Sequence, residues 1–373
     1  MTCCAGRQGS PGSNSRINLI VFSLPEPNPA VPKVDSESQS FFERLFMMTC
    51  GKPRLSIAVP VRNGGRFLDQ TLDSLLAQTY SDFELIISDN ASTDQTEAVC
   101  RAYAAREGRI RYHRSSRDFG SAHNYNYLFQ QARGEYFKWA AADDLYGPEF
   151  VGRCMEVLEH DPSVVLAYTQ TRFINENGAA LALNDPGFNL LSESANERLR
   201  YVIHASHWVN AIYGVIRAKC LSKTRLLPDY PGGDYALLGE LTLAGKFAEI
   251  PKSLFLRRLH PAASSQNAND TKWLMQFCTA NKGICLPLWN RGYDHFRTII
   301  FSELSVRDKF SLAGSVLRTM LAGRRRLLAE LKGASADVMR SLFAGRAWSG
   351  RPLSHHGAAG NSDLPESVRL SRE

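Results

Sequence analysis

The sequence predicts an α/β fold: a mainly parallel sheet with helices on both faces, followed by a C-terminal helical region. Three observations carry this expectation. Between Leu55 and Asp144, short β-branched apolar runs alternate with segments of helical spacing, as in βαβ units. The first two runs are mainly apolar, as in strands covered on both faces. Three of these runs also end on a polar cluster, Arg62-Asn63, Asp89-Asn90 or Asp143-Asp144. In parallel sheets ligands bind beyond the carboxyl ends of the strands, so one polar rim is expected there.

The elements follow in order. "LSIAVPV" (Leu55 to Val61) is a buried strand, broken by "NGG". Phe67, Leu68, Thr71, Leu72, Leu75 and Leu76 then recur at helical spacing. "FELIISDN" is the second strand, and "STDQTEAVCRAYAA" a helix with Ser92 or Thr93 as N-cap. "IRYHRS" is the third strand, and "SAHNYNYLFQQA" a helix ending at Gly134. "EYFKWAA" is the fourth strand and delivers Asp143 and Asp144. A helix follows to about His160, with Pro148 at its first position and Gly147 or Tyr146 as its cap. "VVLAYTQT" is a strand, "VNAIYGVIRAKCL" a strand into a helix, and "GGDYALLGELTLAG" a helix behind a Gly-Gly turn. "FAEIPKSLFLRRLH" has a strand pattern ending on Arg257, Arg258 and His260. Beyond about Trp273 the pattern is helical to Phe343. The Ser-, Pro- and Gly-rich stretch 1–52 is expected to be a poorly ordered extension, with one short helix at "SFFERLFMM".

The 373 residues, 44% of them hydrophobic and 22% charged, suit a soluble globular protein. The net charge of +7 suggests an anionic partner. Eight scattered cysteines contain no C-x-x-C pair. That argues against a zinc site or disulfide framework and for reduced thiols in a cytoplasmic protein. No run approaches a membrane span, and "INLIVF" lacks the layout of a signal peptide.

Asp143 and Asp144 raise a physical question, because adjacent buried carboxylates repel and are costly to desolvate. A hard divalent cation, Mn2+ or Mg2+, would offset both costs while sharing its ligands with a substrate phosphate. Acid/base chemistry and an idle loop are the alternatives, and capping is not, since both residues lie too far from the next helix. A strand-end cation with a second acid at Asp89 suggests a nucleoside diphosphate. Asp89 or Asn90 could bond a base or ribose edge, and Arg117 could meet phosphate. Taken singly, Asp89 also fits a turn residue, and Arg117 fits an ordinary solvated arginine.

These residues resemble the inverting glycosyltransferases of family two, which have the Rossmann-like GT-A fold. "LSIAVPVRNGGRFLDQTLDSLLAQTYSDFELIISDNASTDQT" (Leu55 to Thr96) resembles the family's opening block, and "ARGEYFKWAAADD" its second block. The likeness is close over Pro53 to Pro148 and looser to about His260. It implies nucleotide contacts at Pro60, Arg62 and Asn63, with base contacts at Asp89 and Asn90. It implies metal and sugar-diphosphate contacts at Asp144 and Asp143. Ala142 stands where the family's D-x-D has its first acid. Asp144 is therefore the expected ligand, and Asp143 is left to touch ribose or sugar. Arg62 stands where many relatives have tyrosine, which argues against base stacking there. The family's carboxylate base maps to Asp234, with Glu240 in reserve and helix capping as the plainer role for Asp234. "RRLHPAAS" resembles a segment that closes over the diphosphate, which implies Arg257 or Arg258 on phosphate and His260 as a third metal ligand. A strand-end loop histidine is the alternative for His260.

The implied reaction moves a sugar from a nucleotide-sugar donor, most simply UDP-linked, to a carbohydrate or lipid-linked acceptor in surface polysaccharide or glycolipid synthesis. A nucleotidyltransferase and a non-catalytic nucleotide or carbohydrate binder are the competing readings. "RNGGR" is a short phosphate loop for the former, and the full set of acids weighs against the latter. The implied division is a donor half at 53–150, an acceptor half at 151–265, a helical region at 266–345 and a flexible tail at 346–373.

Between Glu303 and Phe343 there are eight basic and four acidic residues, so most of the net charge lies there. Within Arg307 to Gly333, Phe310, Leu312, Val316, Leu317, Met320 and Leu321 interleave with basic side chains. Such a helix could lie on an anionic membrane as a peripheral contact, or pack its apolar face on the catalytic domain. The second reading is preferred. Nucleic acid is not an expected partner, because the aromatic interleaving of a stacking platform is missing.

Overall fold

The computed structural model describes residues 52–183, 185, 187, 189–205, 210–263 and 286–343, the last nine by backbone alone. The N-terminal extension, the "SFFERLFMM" helix, the region around Trp273 and the C-terminal tail lie outside the described residues.

Eight strands form one sheet in the order β3-β2-β1-β4-β7-β6-β8-β5. They are β1 Leu55–Val61, β2 Phe83–Asp89, β3 Ile110–Arg114, β4 Tyr136–Trp139, β5 Leu145–Tyr146, β6 Val164–Ile174, β7 Val215–Arg217 and β8 Lys246–Arg258. The first four pair in parallel, in the register Val61 with Asp89 and Ala58 with Trp139. The far half is mixed: β7 is antiparallel to β4 and β6, β6 is parallel to β8, and β5 is antiparallel to β8. The sequence pattern did not separate these halves, because it shows whether a strand is buried and not which way its neighbour runs.

β1 and β2 are buried at every position. Leu55, Ile57, Val59 and Val61 face one core with Leu85 and Ile87. Ala58 faces the other with Ile86, Phe137 and Trp139. Period-two alternation thus divides a continuously buried strand between two helical layers. The helices are α1 Leu68–Leu76, α2 Thr96–Arg106, α3 Ser121–Gln131, α4 Phe150–His160, α5 Ala195–His204, α6 Ala218–Leu221, α7 Gly233–Ala244, α8 Pro287–Phe301, α9 Val306–Ala322 and α10 Arg324–Phe343. A single turn of 3-10 helix spans Asn210–Tyr213.

Two expected caps differ. α2 begins at Thr96 with Gln95 as N-cap, and Ser92 instead accepts the Asn63 amide at 2.8 Å. α4 begins at Phe150 behind Glu149, so Pro148 precedes the helix. Gly134 does mark a tight passage between α3 and β4. A Cβ there would lie 2.6 Å from the Ser56 nitrogen and 2.7 Å from the Tyr136 carbonyl oxygen.

A third cluster, Leu199, Ile203, Ile299, Leu312 and Val316, joins α5 to α8 and α9. This is the packing expected of the C-terminal helices, achieved with one face of α9.

Candidate active site

The parallel half brings the ends of β1, β2 and β4 to one rim. The turn after β1 and the turn after β2 are stitched together. Asn63 has a left-handed backbone, with φ of 53°, a conformation its short polar side chain tolerates. Its Oδ1 accepts the Thr93 amide at 2.8 Å. The amides of Gly64 and Gly65 donate to Thr96 Oγ1 and Asp94 Oδ2 at 2.9 and 3.0 Å.

Asp89 and Asn90 were expected to meet a base. Both are buried and already bonded. Asp89 accepts from the Ser92 amide at 2.8 Å and from the Tyr112 hydroxyl at 3.0 Å, with Arg114 Nε at 3.4 Å. Asn90 donates to Asp118 Oδ1 at 2.6 Å and accepts the Phe119 amide at 3.0 Å. These side chains hold the loop 115–120 against the β2 end. Asp118, which sequence reasoning missed, also pairs with exposed Arg62 at 3.3 Å. Pro60 is an internal, buried residue of β1 in register with Ser88. Arg117 is exposed, with its guanidinium 4.7 Å from the centre of the Phe119 ring.

At the β4 end the two acids differ. The Asp144 side chain accepts the Arg258 amide at 2.7 Å, and the residue is 3% exposed. Burial and the neighbouring Asp143 charge push its carboxyl well above the usual range. Asp143 is the open one. Its side chain is 34% exposed, and its Oδ2 lies 3.0 Å from His260 Nε2. Asp143 is thus the more open of the two acids, and its partner His260 is buried.

Arg258 and Arg257 also part company, because successive residues of a strand face opposite ways. Arg258 is buried and clasps three segments through four acceptors. It donates to the Asp143 carbonyl at 2.9 Å, the Glu176 carbonyl at 2.8 Å, the Asn175 carbonyl at 3.4 Å and Gln70 Oε1 at 2.9 Å. Its guanidinium covers the Phe67 ring at 4.5 Å. Arg257 bonds Asn210, which Asp185 holds in turn at 2.6 Å. Its charge acts on both Asp144 and Asp234.

Asp234 lies in the first turn of α7, behind Gly232, whose φ is 84°. Its Oδ1 accepts the Tyr235 amide at 3.0 Å, and Gly232 holds the N-cap position. Burial raises its pKa, against the pull of Arg291 and Arg257. A carboxylate raised in this way is a better proton acceptor near neutrality. Glu240, six residues on, is ion-paired with Arg225.

Lys138 was also missed. It is fully buried in β4 and donates to the Tyr213 carbonyl and, at 3.2 Å, to its neighbour's, Trp139. Its ammonium lies 4.0 and 4.3 Å from the centres of the Tyr146 and Phe150 rings. Burial lowers its pKa to about 7. An apolar run around one lysine reads as a strand either way, so the sequence hides it.

Among the described residues no group of three or more His, Cys, Asp or Glu side chains could hold a metal ion. The two-donor pair of Asp143 and His260 still fits a cation that shares its remaining ligands with a phosphate. Their separation of 3.0 Å is also that of neighbouring ligands about 2.1 Å from an octahedral ion. His260 Nδ1 is buried against no hydrogen-bond partner.

Residues 56–214 match the family model described as glycosyl transferase family 2. An uncharacterized glycosyltransferase of Rickettsia felis is 34% identical over 160 residues, covering 41% of this chain and 26% of that protein. The chondroitin synthase of Pasteurella multocida is 28% identical over 258 residues, covering 69% of this chain and 26% of the synthase. The chain thus spans about a quarter of the length of these relatives. The structure of residues 1–349 of S. aureus TarS in complex with UDP-GlcNAc superposes with a TM-score of 0.55 at 16% identity, over 72% of this chain and 73% of that one. At that identity the likeness is one of fold, and the fold is GT-A.

Proposed function

We propose that this chain, whose residues 56–214 belong to glycosyl transferase family 2, transfers a sugar from a nucleoside diphosphate donor to a hydroxyl acceptor with inversion. The observation that carries the reading is the rim where the β1, β2 and β4 turns meet Arg257, His260 and Asp234. The relation to a UDP-GlcNAc-bound fold and to a polysaccharide synthase supports a UDP-linked donor and a carbohydrate or lipid-linked acceptor.

In this reading the backbone turns at Arg62–Gly65 and Asn90–Thr93 cradle the nucleoside, shaped by Asn63, Asp89 and Asn90. Arg62 and Arg117, both exposed, face the donor's anionic part. Asp143 and His260 would hold a divalent cation, Mn2+ or Mg2+, which would stabilise the diphosphate leaving group. Asp144 fixes the end of β8 through the Arg258 amide. Arg257 neutralises the second phosphate. Asp234 accepts the proton of the acceptor hydroxyl as that oxygen attacks the anomeric carbon and the nucleoside diphosphate departs. The donor half is 53–150, the acceptor half 151–265 and the helical region 266–345.

The test is release of nucleoside diphosphate from UDP-sugars with oligosaccharide acceptors, and the anomeric configuration of the product by NMR. An inverted product, lost in Asp234→Asn while donor binding persists, supports the reading. A retained configuration, or full activity in the variant, removes Asp234 as base.

A further inference from the structure

α9 carries two apolar faces, and only one is used by the described core. Leu312 and Val316 are buried against Leu199, Ile203 and Ile299. Val306, Phe310, Leu317 and Leu321, spaced i, i+4, i+11 and i+15, fall within about 60° of each other on a different side of the helix. Phe310 is 76% exposed and Leu317 52%. Leu328 and Leu331 of α10 and Phe301 at the end of α8 extend the exposed apolar surface.

The exposed charges around this stripe are predominantly positive. Arg307, Arg318, Arg324, Arg325, Arg326 and Lys332 are exposed. Among the described residues of 301–334, Glu303 is the exposed acid. The other two acids there turn inward: Asp308 accepts from Asn196 at 2.7 Å, and Glu330 accepts the Leu288 amide at 3.1 Å. An exposed apolar stripe edged by cations has the two signals that together give stable attachment to an anionic membrane surface, where one alone gives marginal binding. A second copy is a poor occupant, since a two-fold contact would set this basic surface against itself. No helix among the described residues is long and apolar enough to cross a membrane.

We propose that the exposed face of α9 and the start of α10 dock on an anionic lipid bilayer. Val306, Phe310, Leu317 and Leu321 enter the headgroup region, and Arg307, Arg318 and Arg324 to Arg326 meet lipid phosphates.

The experiment is co-sedimentation of the full chain with phosphatidylcholine vesicles, with and without phosphatidylglycerol, at two salt concentrations. No donor or acceptor is present, so the outcome is independent of the glycosyltransferase reading, which nucleotide binding tests separately. The expected result is pelleting with anionic vesicles only, weakened by salt. Each basic residue near such a surface is worth about fivefold in affinity, so Arg324→Glu with Arg325→Glu and Arg326→Glu should weaken binding by at least about 100-fold. Phe310→Ser with Leu317→Ser should weaken it by about 10-fold or more. Both variants change exposed side chains and should melt within about 2 °C of wild type. Equal pelleting with neutral vesicles, or none with either, overturns the proposal. So does a wild-type dimer that Phe310→Ser with Leu317→Ser converts to monomer.

Discussion

Replacing Arg258 by alanine tests whether the acid pair is held by a buried clasp. The guanidinium donates to the carbonyls of Asp143, Asn175 and Glu176 and to Gln70. Hydrogen bonds from a charged donor contribute about 1.5–3 kcal/mol each, and those sharing one group are not additive. Truncation also empties the space over Phe67. A loss of about 3–5 kcal/mol follows. At about 2–4 °C per kcal/mol for a chain of this size, the melting temperature should fall by about 10 °C. The backbone amide that binds Asp144 survives in the variant. The damage should therefore fall on the position of Asp143, and nucleotide affinity should drop along with stability. Arg258→Lys should recover less than half of the loss, because an ammonium lacks the planar fork. Differential scanning calorimetry and nucleotide titration read both effects. A shift below about 3 °C with unchanged nucleotide affinity would refute the clasp.

Three further outcomes are expected. Asp234→Asn keeps the side chain's shape and removes the base, so kcat should fall by about 10²–10⁴ with donor Kd unchanged. Because burial raises this carboxyl, the acid limb of wild-type kcat/KM should lie above the ordinary carboxylate range, and the variant should lose that limb. Lys138 has its folded pKa lowered to about 7 from 10.5. Both states are protonated below that value. Between it and 10.5 the unfolded chain holds more protons, so stability should rise with pH across this window, by up to about 4–5 kcal/mol. Urea melts at successive pH values should show the rise in wild type and a flatter profile in Lys138→Met. Gly134→Ala would press a Cβ onto the backbone of Ser56 and Tyr136 and should cost about 2–3 kcal/mol, read as a lower midpoint in the same melts.

The parallel half of the fold was legible because local rules suffice there. Apolar runs give buried strands, and Asn63, Gly64 and Gly65 break the first one as expected. The register and direction of β5, β7 and β8 depend on pairings distant in sequence, which periodicity does not report. The site divides in the same way. Asp143 and Asp144 stood out by type and position, but which one is open depends on the Arg258 amide, more than one hundred residues away. Asp89 and Asn90 read as ligand groups in sequence and are engaged in internal hydrogen bonds in the structure, because a short polar side chain serves both purposes with the same atoms. The choice between Arg257 and Arg258 followed from strand alternation once β8 was fixed. Asp118 and Asn210 carried no motif at all.

The central claim is that the β1, β2 and β4 ends form a nucleotide site completed by Asp143 and His260. Its most direct test is a thermal-shift panel of UDP, GDP, dTDP and CDP, each with and without Mn2+, on wild type and on Asp143→Asn. Saturation at about 100 times Kd stabilises the folded state by about 2.7 kcal/mol, a readable shift. A shift for one nucleotide that needs the cation and disappears in the variant is the predicted result. The same shift for every nucleotide without the cation, undiminished in Asp143→Asn, would contradict the account.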